Sequence, residues 1–150
     1  MSMDTRNQSA EPDRETIGKM CVMAADMCKR SYVPYSGFHV GAALLARDGR
    51  IFTGCNVENA SYPACTCAER TAFAKAVSEG AHEFTAIVIC GCAEDGVFQY
   101  CPPCGVCRQG MGEFCSGDFR IYLAKTPQDY ETYTLDELMP KRFTPAYLRK

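Results

Sequence analysis

The chain is predicted to be an α/β protein, a three-layer α-β-α sandwich with a mixed central sheet of about five strands. Three observations predict it. Apolar residues recur at helical spacing in one early segment. Short apolar runs at 40–46, 51–55, 84–92, 120–125 and 130–134 read as strands. Helical stretches stand between the later strands, the alternation that lays helices on the faces of a sheet. A chain of 150 residues is long enough to bury a real core as one domain. That domain is expected over 13–150, after a flexible polar tail over 1–12.

The first helix is expected from about Asp13 to about Lys29, with Ile17, Met20, Cys21, Ala24 and Cys28 on its buried face and Asp13 as N-cap after Pro12. Tyr32-Val33-Pro34-Tyr35-Ser36-Gly37-Phe38 is punctuated as a loop. Its tyrosines read more readily as core anchors than as a stacking lip. Val40 to Ala46 and Ile51 to Cys55 form a hairpin through Arg47-Asp48-Gly49-Arg50, with the Asp-Gly turn signal. After it, alternation puts Asn56 and Glu58 on one side and Val57 on the other. An amide and a carboxylate aimed together can hold the hydroxyls of a sugar; the same residues also read as a polar strand end.

A second helix is expected from near Thr66 to Glu79, stopped by Gly80, with Phe73, Ala76 and Val77 as its apolar stripe. Phe84 to Cys92 is nearly continuous in apolar residues and reads as a central strand buried on both faces. Ala93 to Tyr100 reads as a polar loop. Pro102-Pro103 stops the chain before a third helix from about Cys104 to Phe114. Arg120 to Lys125 is a further strand and Tyr130 to Thr134 an edge strand. Thr134-Leu135-Asp136-Glu137 matches a capping box opening a short helix to Met139, and Thr144-Pro145 starts a terminal turn.

The chemistry concentrates in Cys67-Ala68-Glu69-Arg70 and in Pro103-Cys104-Gly105-Val106-Cys107-Arg108-Gln109. Three thiols and one carboxylate suit a metal that activates water. Catalytic zinc takes three protein ligands and leaves a fourth position open. Glu69, two residues past the first thiol, can stand beside such a metal and carry protons. Each half also has a plainer reading. Cys104-x-x-Cys107 alone matches half of a structural zinc site or a redox pair. Thr66-Cys67-Ala68-Glu69 matches a capping box, which would make Glu69 structural. Cys65 is close enough to Cys67 to compete as a ligand. The combination of both halves favours the catalytic reading, and a thiolate in a helix's first turn is stabilised there.

Composition narrows the partners. A net charge of −2 gives no broad basic footprint for nucleic acid, and no apolar run approaches a membrane span. Eleven cysteines without a signal-peptide pattern fit thiols in a reducing cytoplasm better than a disulfide framework. Cys21, Cys28, Cys90 and Cys92 fall in periodic apolar stretches and read as small core residues.

Together with Pro34-Tyr35-Ser36-Gly37-Phe38 and Gly54-Cys55-Asn56-Val57-Glu58-Asn59-Ala60-Ser61-Tyr62-Pro63, the two thiol motifs make the chain resemble the cytidine deaminases of the small homotetrameric type, from about Thr16 to Leu148. Cys-x-Glu followed by Pro-Cys-x-x-Cys is the signature of zinc nucleobase deaminases. The resemblance implies one Zn²⁺ per chain on Cys67, Cys104 and Cys107, with Glu69 as proton shuttle. It also implies the backbone N–H of Ala68 on the base O2, the Pro102 carbonyl on the amino group, Asn56 and Glu58 on the ribose 3′-hydroxyl, and Phe38 against the base. Ala60, Tyr62 and Phe143 are expected to reach a neighbouring subunit's site. Arg70 is expected to draw charge from the thiolates. Cys65 stands where the family often has a small residue that is not a ligand.

The implied activity is hydrolytic deamination of cytidine and 2′-deoxycytidine in pyrimidine salvage. A carboxylate against the 3′-hydroxyl disfavours polynucleotides, and no basic cluster serves a 5′-phosphate. The competing readings are a deaminase of a related aminopyrimidine or modified nucleoside, a zinc-stabilised binding module without catalysis, and a thiol-redox protein using Cys104 and Cys107.

Overall fold

A computed structural model describes residues 11–149. The expected tail therefore lies, as far as residue 10, outside the described residues. The elements run α1 (Arg14–Cys28), β1 (His39–Ala46), β2 (Ile51–Cys55), α2 (Ala68–Ser78), β3 (Phe84–Cys92), β4 (Phe98–Gln99), α3 (Gly105–Phe114), β5 (Arg120–Thr126), β6 (Asp129–Thr134) and α4 (Leu135–Leu138), with short 3₁₀ turns at Tyr62–Ala64 and Pro145–Tyr147.

The sheet has six strands, in the order β2-β1-β3-β5-β6 with β4 paired to the end of β3. Among the strands of the described residues, β3 and β5 are the parallel pair, with Ile87 opposite Ile121, and α3 lies in the crossover that a parallel pair requires. The extra strand, β4, occupies the expected loop after β3. Its two residues pair with Gly91 and Cys92, too short a run to carry a periodicity of its own.

Alternation along the strands divides the core into two layers. Leu44, Phe52, Ile87, Ile89, Ile121 and Leu123 face α2, α3 and α4, meeting Ala72, Phe73, Met111 and Leu135. Ala43, Val88, Cys90, Cys92, Tyr122 and Ala124 face α1, meeting Ile17, Met20, Cys21, Ala24 and Cys28. All nine residues of β3 are buried, because both its faces are covered and both its edges paired. The four cysteines read as core residues are in that second layer.

Two close approaches set the helices on the sheet. A Cβ on Gly41 would sit 1.9 Å from the Ala24 carbonyl oxygen of α1, and one on Gly54 would sit 2.3 Å from the Ala68 carbonyl oxygen of α2. Small residues at these positions let the backbones of helix and strand meet.

Two expectations are corrected. Thr66 is not the N-cap of α2. It is held extended by paired backbone bonds with Val57, 2.9 Å each way, so the helix begins one residue later and Cys67 becomes its N-cap. Glu69 then sits at the second helical position and closes no capping box there. The second expected box does form: the Thr134 side chain accepts from Glu137 N, and Glu137 accepts from Thr134 N at 2.7 Å. Tyr32 and Tyr35 are not core anchors either, being 58 % and 51 % exposed. Strand β1 starts only after that loop, so its tyrosines remain outside the sheet's cover.

Candidate metal centre

The site is built where two helices begin. Cys67 is the N-cap of α2 and Cys104 the N-cap of α3, both with extended backbone and neither using its side chain as a cap. Their thiols are left free to turn toward each other, while the first-turn N–H groups behind them lack intrahelical acceptors. Cys107 follows one turn into α3. The Cys67 and Cys104 sulfurs are 3.7 Å apart and those of Cys104 and Cys107 are 3.5 Å apart. All three lie within 4.8 Å of one another, the one such His, Cys, Asp and Glu cluster among the described residues.

The three thiols differ in surroundings. Cys107 is buried, Cys67 half-buried and Cys104 exposed, so the centre is open on one side. The Cys107 hydrogen bond, with help from Arg70, pulls the Cys67 thiol down to about 5. Cys107 moves the opposite way, because its proton is held toward Cys67 and because it is buried. Arg70 Nη2 stands 3.9 Å from Cys67 Sγ and donates to the Cys65 carbonyl at 3.0 Å. The Arg70 guanidinium is in turn held more firmly protonated by the Cys67 thiolate.

Glu69 is 4 % exposed, and burial raises its carboxyl above the ordinary range. A carboxyl beside the thiol group with a raised affinity for protons is suited to receive and return one. Three sulfur donors in this arrangement suit zinc, which accepts thiolates at four-coordinate centres and keeps one position open when only three protein ligands are supplied. Cys65 is not in the cluster; its sulfur accepts instead from Asn59 N at 3.3 Å.

A second set of residues is organised around the loop before β1. Glu58 Oε1 accepts from the backbone N–H groups of Tyr35 and Ser36, each at 3.0 Å; the Ser36 side chain first, and then these N–H groups, hold its carboxyl below the usual carboxylate range. Asn56 Oδ1 accepts from Val40 N and its Nδ2 donates to the Phe38 carbonyl, both at 2.9 Å. Tyr62 meets Tyr35 edge-on with centroids 5.8 Å apart. A cleft of about 370 Å³ is lined by Tyr35, Ser36, Glu58, Tyr62 and Cys65.

Ala60 and Tyr62 are exposed on the segment between β2 and α2. Phe143 is 56 % exposed, stacked on Tyr147 at 5.3 Å and tied to α3 by Gln109 Nε2, which donates to its carbonyl at 2.9 Å. Four contributors escaped the sequence reading. Tyr35 and Ser36 act through backbone N–H groups, for which only the Pro34-x-x-Gly37 turn is a signal. Gln109 has no signal except its place after Cys-Arg. Arg108 donates to the Pro103 carbonyl at 2.8 Å and to the Leu138 carbonyl at 2.6 Å, tying the start of α3 to the loop before it and to the end of α4.

Fold and site together define an α/β protein with a three-thiol metal centre at the meeting of two helix N-termini. Residues 14–123 match the family model described as the cytidine and deoxycytidylate deaminase zinc-binding region. The cytidine deaminase of Sporosarcina psychrophila is 48 % identical over 128 residues, 85 % of this chain and 91 % of that protein. That of Halalkalibacterium halodurans is 45 % identical, over 88 % of this chain and 95 % of that one. The crystal structure of Burkholderia pseudomallei cytidine deaminase superposes with a TM-score of 0.75 at 39 % identity, covering 83 % of this chain and 97 % of that one. The Mycobacterium tuberculosis cytidine deaminase structure gives 0.71 at 35 % identity, covering 83 % and 94 %. The chain belongs to the cytidine and deoxycytidylate deaminase family and carries its zinc-binding region.

Proposed function

We propose that the protein hydrolyses cytidine and 2′-deoxycytidine to uridine and 2′-deoxyuridine with release of ammonia, in pyrimidine salvage. The observation that carries this reading is Glu69, buried beside three convergent thiols. Cys67, Cys104 and Cys107 hold one zinc per chain, which supplies an acidified water at neutral pH. Glu69 takes a proton from the attacking water and delivers it to ring N3, then takes the second proton from the resulting C4 hydroxyl and passes it to the amino group, which departs as ammonia as the C4–N bond breaks and the C4 carbonyl forms. Three thiolates on a divalent cation leave an excess negative charge, and Arg70 with two helix N-termini offsets it from behind the sulfurs.

Hydrogen-bond capacity supports the ribose contacts. Asn56 has used one amide N–H and one lone pair of Oδ1 on the backbone, so it retains a donor and an acceptor. Glu58 has committed Oε1 to two N–H groups and keeps Oε2 for a 3′-hydroxyl. The Ala68 N–H belongs to the first turn of α2 and has no intrahelical acceptor to compete with the base O2. Phe38, held at its carbonyl by Asn56, packs on the base.

Residues 13–150 form the catalytic unit of a homotetramer in which Ala60, Tyr62 and Phe143 complete a neighbour's site. The exposure of Tyr62 and Phe143, and an apolar groove of about 480 Å³ between α2 and α3 that reaches Arg70 and Cys107, support this assembly. A centre built from three thiols needs a reducing compartment, which supports a cytoplasmic setting. No helix among the described residues is long and apolar enough to cross a membrane.

The test is loss of cytidine ultraviolet absorbance on adding purified protein, with zinc assayed on the same sample. Turnover with about one zinc per chain supports the assignment. Zinc without turnover of cytidine or deoxycytidine points to a related aminopyrimidine or a binding module. Absence of both, after reduction and added zinc, overturns the reading.

A further inference from the structure

Cys65 is the thiol that the three-thiol cluster leaves aside, although only one residue separates it from Cys67. Its sulfur closes a loop. Sγ accepts from Asn59 N at 3.3 Å and lies 3.7 Å from the Asn59 carbonyl oxygen, as donor to it. Between these ends the chain turns tightly: Ser61 N donates to Asn59 Oδ1 at 2.8 Å, Ala64 N to the Ser61 carbonyl at 2.9 Å, and Cys65 N to the Tyr62 carbonyl at 3.0 Å. Those bonds are local; the paired Val57–Thr66 backbone bonds close the loop's base, and the thiol fastens the next step in, from residue 65 to the Asn59 backbone. The loop's crest is Tyr62, 68 % exposed and resting on Tyr35. Cys65 and Tyr62 line one cleft with Glu58 and Ser36. The Cys65 carbonyl also accepts from Arg70, whose guanidinium reaches the Cys67 sulfur.

We propose that Cys65 is a positioning residue, its thiol acting as acceptor and donor to the Asn59 backbone so that the 59–65 loop is set before substrate binds. Within the base closed by Val57 and Thr66, a 59–65 segment lacking the thiol contact would have more to order at the moment of binding, and that conformational cost falls on affinity. Glu69 and the three ligand thiols lie outside the loop, so the chemical step is spared. The link to substrate rests on the nucleoside reading above; the link to loop order does not.

The experiment compares wild type, Cys65→Ala and Cys65→Ser in two measurements. In hydrogen exchange, the peptide covering 59–65 exchanges about fivefold faster in Cys65→Ala and returns toward wild type in Cys65→Ser, whose hydroxyl offers the same donor and acceptor. In cytidine kinetics, Cys65→Ala raises KM about fivefold with kcat and zinc content unchanged, and Cys65→Ser restores KM. Unchanged exchange in Cys65→Ala, or no recovery in Cys65→Ser, overturns the proposal. Loss of zinc in Cys65→Ala also overturns it and makes Cys65 a ligand, and a fall in kcat at constant KM places its role in catalysis instead. If wild type binds zinc but leaves cytidine intact, the proposed function fails while the exchange measurement still decides the loop.

Discussion

Glu69 stands at the second helical position of α2 because Thr66 is claimed by Val57, and that single-residue shift converts a capping carboxylate into one facing the thiols. Burial then raises its proton affinity. Replacing it with Gln keeps size and hydrogen-bonding capacity but removes a group able to take up and release a proton. Glu69→Gln is expected to retain zinc and fold while turnover falls about 10³-fold, measured by cytidine absorbance and metal assay on one sample. Glu58 is bound differently, through backbone N–H groups at one oxygen. Glu58→Gln is expected to raise KM more than it lowers kcat, since a neutral amide is a weaker acceptor for both the loop and a sugar hydroxyl. Equal losses in kcat and kcat/KM would assign Glu58 to the chemical step.

The helices depend on their ends and on what they rest upon. Asp13 caps α1 by accepting from Thr16 N at 2.8 Å, which lowers its carboxyl below the model-peptide value. Its stabilising contribution is therefore full above the ordinary carboxylate range and is lost as pH falls through the lowered folded value. An acid melt of Asp13→Asn is expected to show a smaller dependence on pH in that window than wild type, since the amide still caps but does not titrate. The seating of α1 on β1 is less forgiving. Gly41→Ala puts a methyl group 1.9 Å from the Ala24 carbonyl oxygen, and helix and sheet must separate. The expected cost is about 1–3 kcal/mol, read as a lowered midpoint in chemical denaturation. An unchanged midpoint would mean that α1 can shift without loss.

At the scale of the whole molecule, the centre ties α2 to α3, two elements otherwise joined through the sheet and the Phe73–Phe114 stack at 6.0 Å. Metal bound only by the folded chain stabilises it by mass action. Removal by a chelator is expected to lower Tm and abolish turnover together, with both restored by added zinc. Recovery of Tm without recovery of turnover would separate a structural metal from a catalytic one. For the assembly, sedimentation is expected to give four times the 16.6 kDa chain mass.

The sequence by itself determined the elements with a strong local pattern. β2 and β3 fall on the expected residues, and α1, α3 and the Thr134 capping box within a residue or so, because periodicity and capping are properties of neighbours along the chain. It also marked Cys67, Glu69, Cys104 and Cys107 as candidates by residue type and spacing, and the fold brings the three thiols together with Glu69 beside them. Tertiary structure decided what spacing does not encode. Val57 held Thr66 extended and so set where α2 begins; β4 formed only because β3 offered an edge; and Cys65, indistinguishable from Cys67 as a thiol in sequence, was turned to Asn59 instead of the metal centre. In each case the deciding partner is remote or a backbone group, and a backbone N–H or carbonyl leaves no mark in the amino-acid sequence.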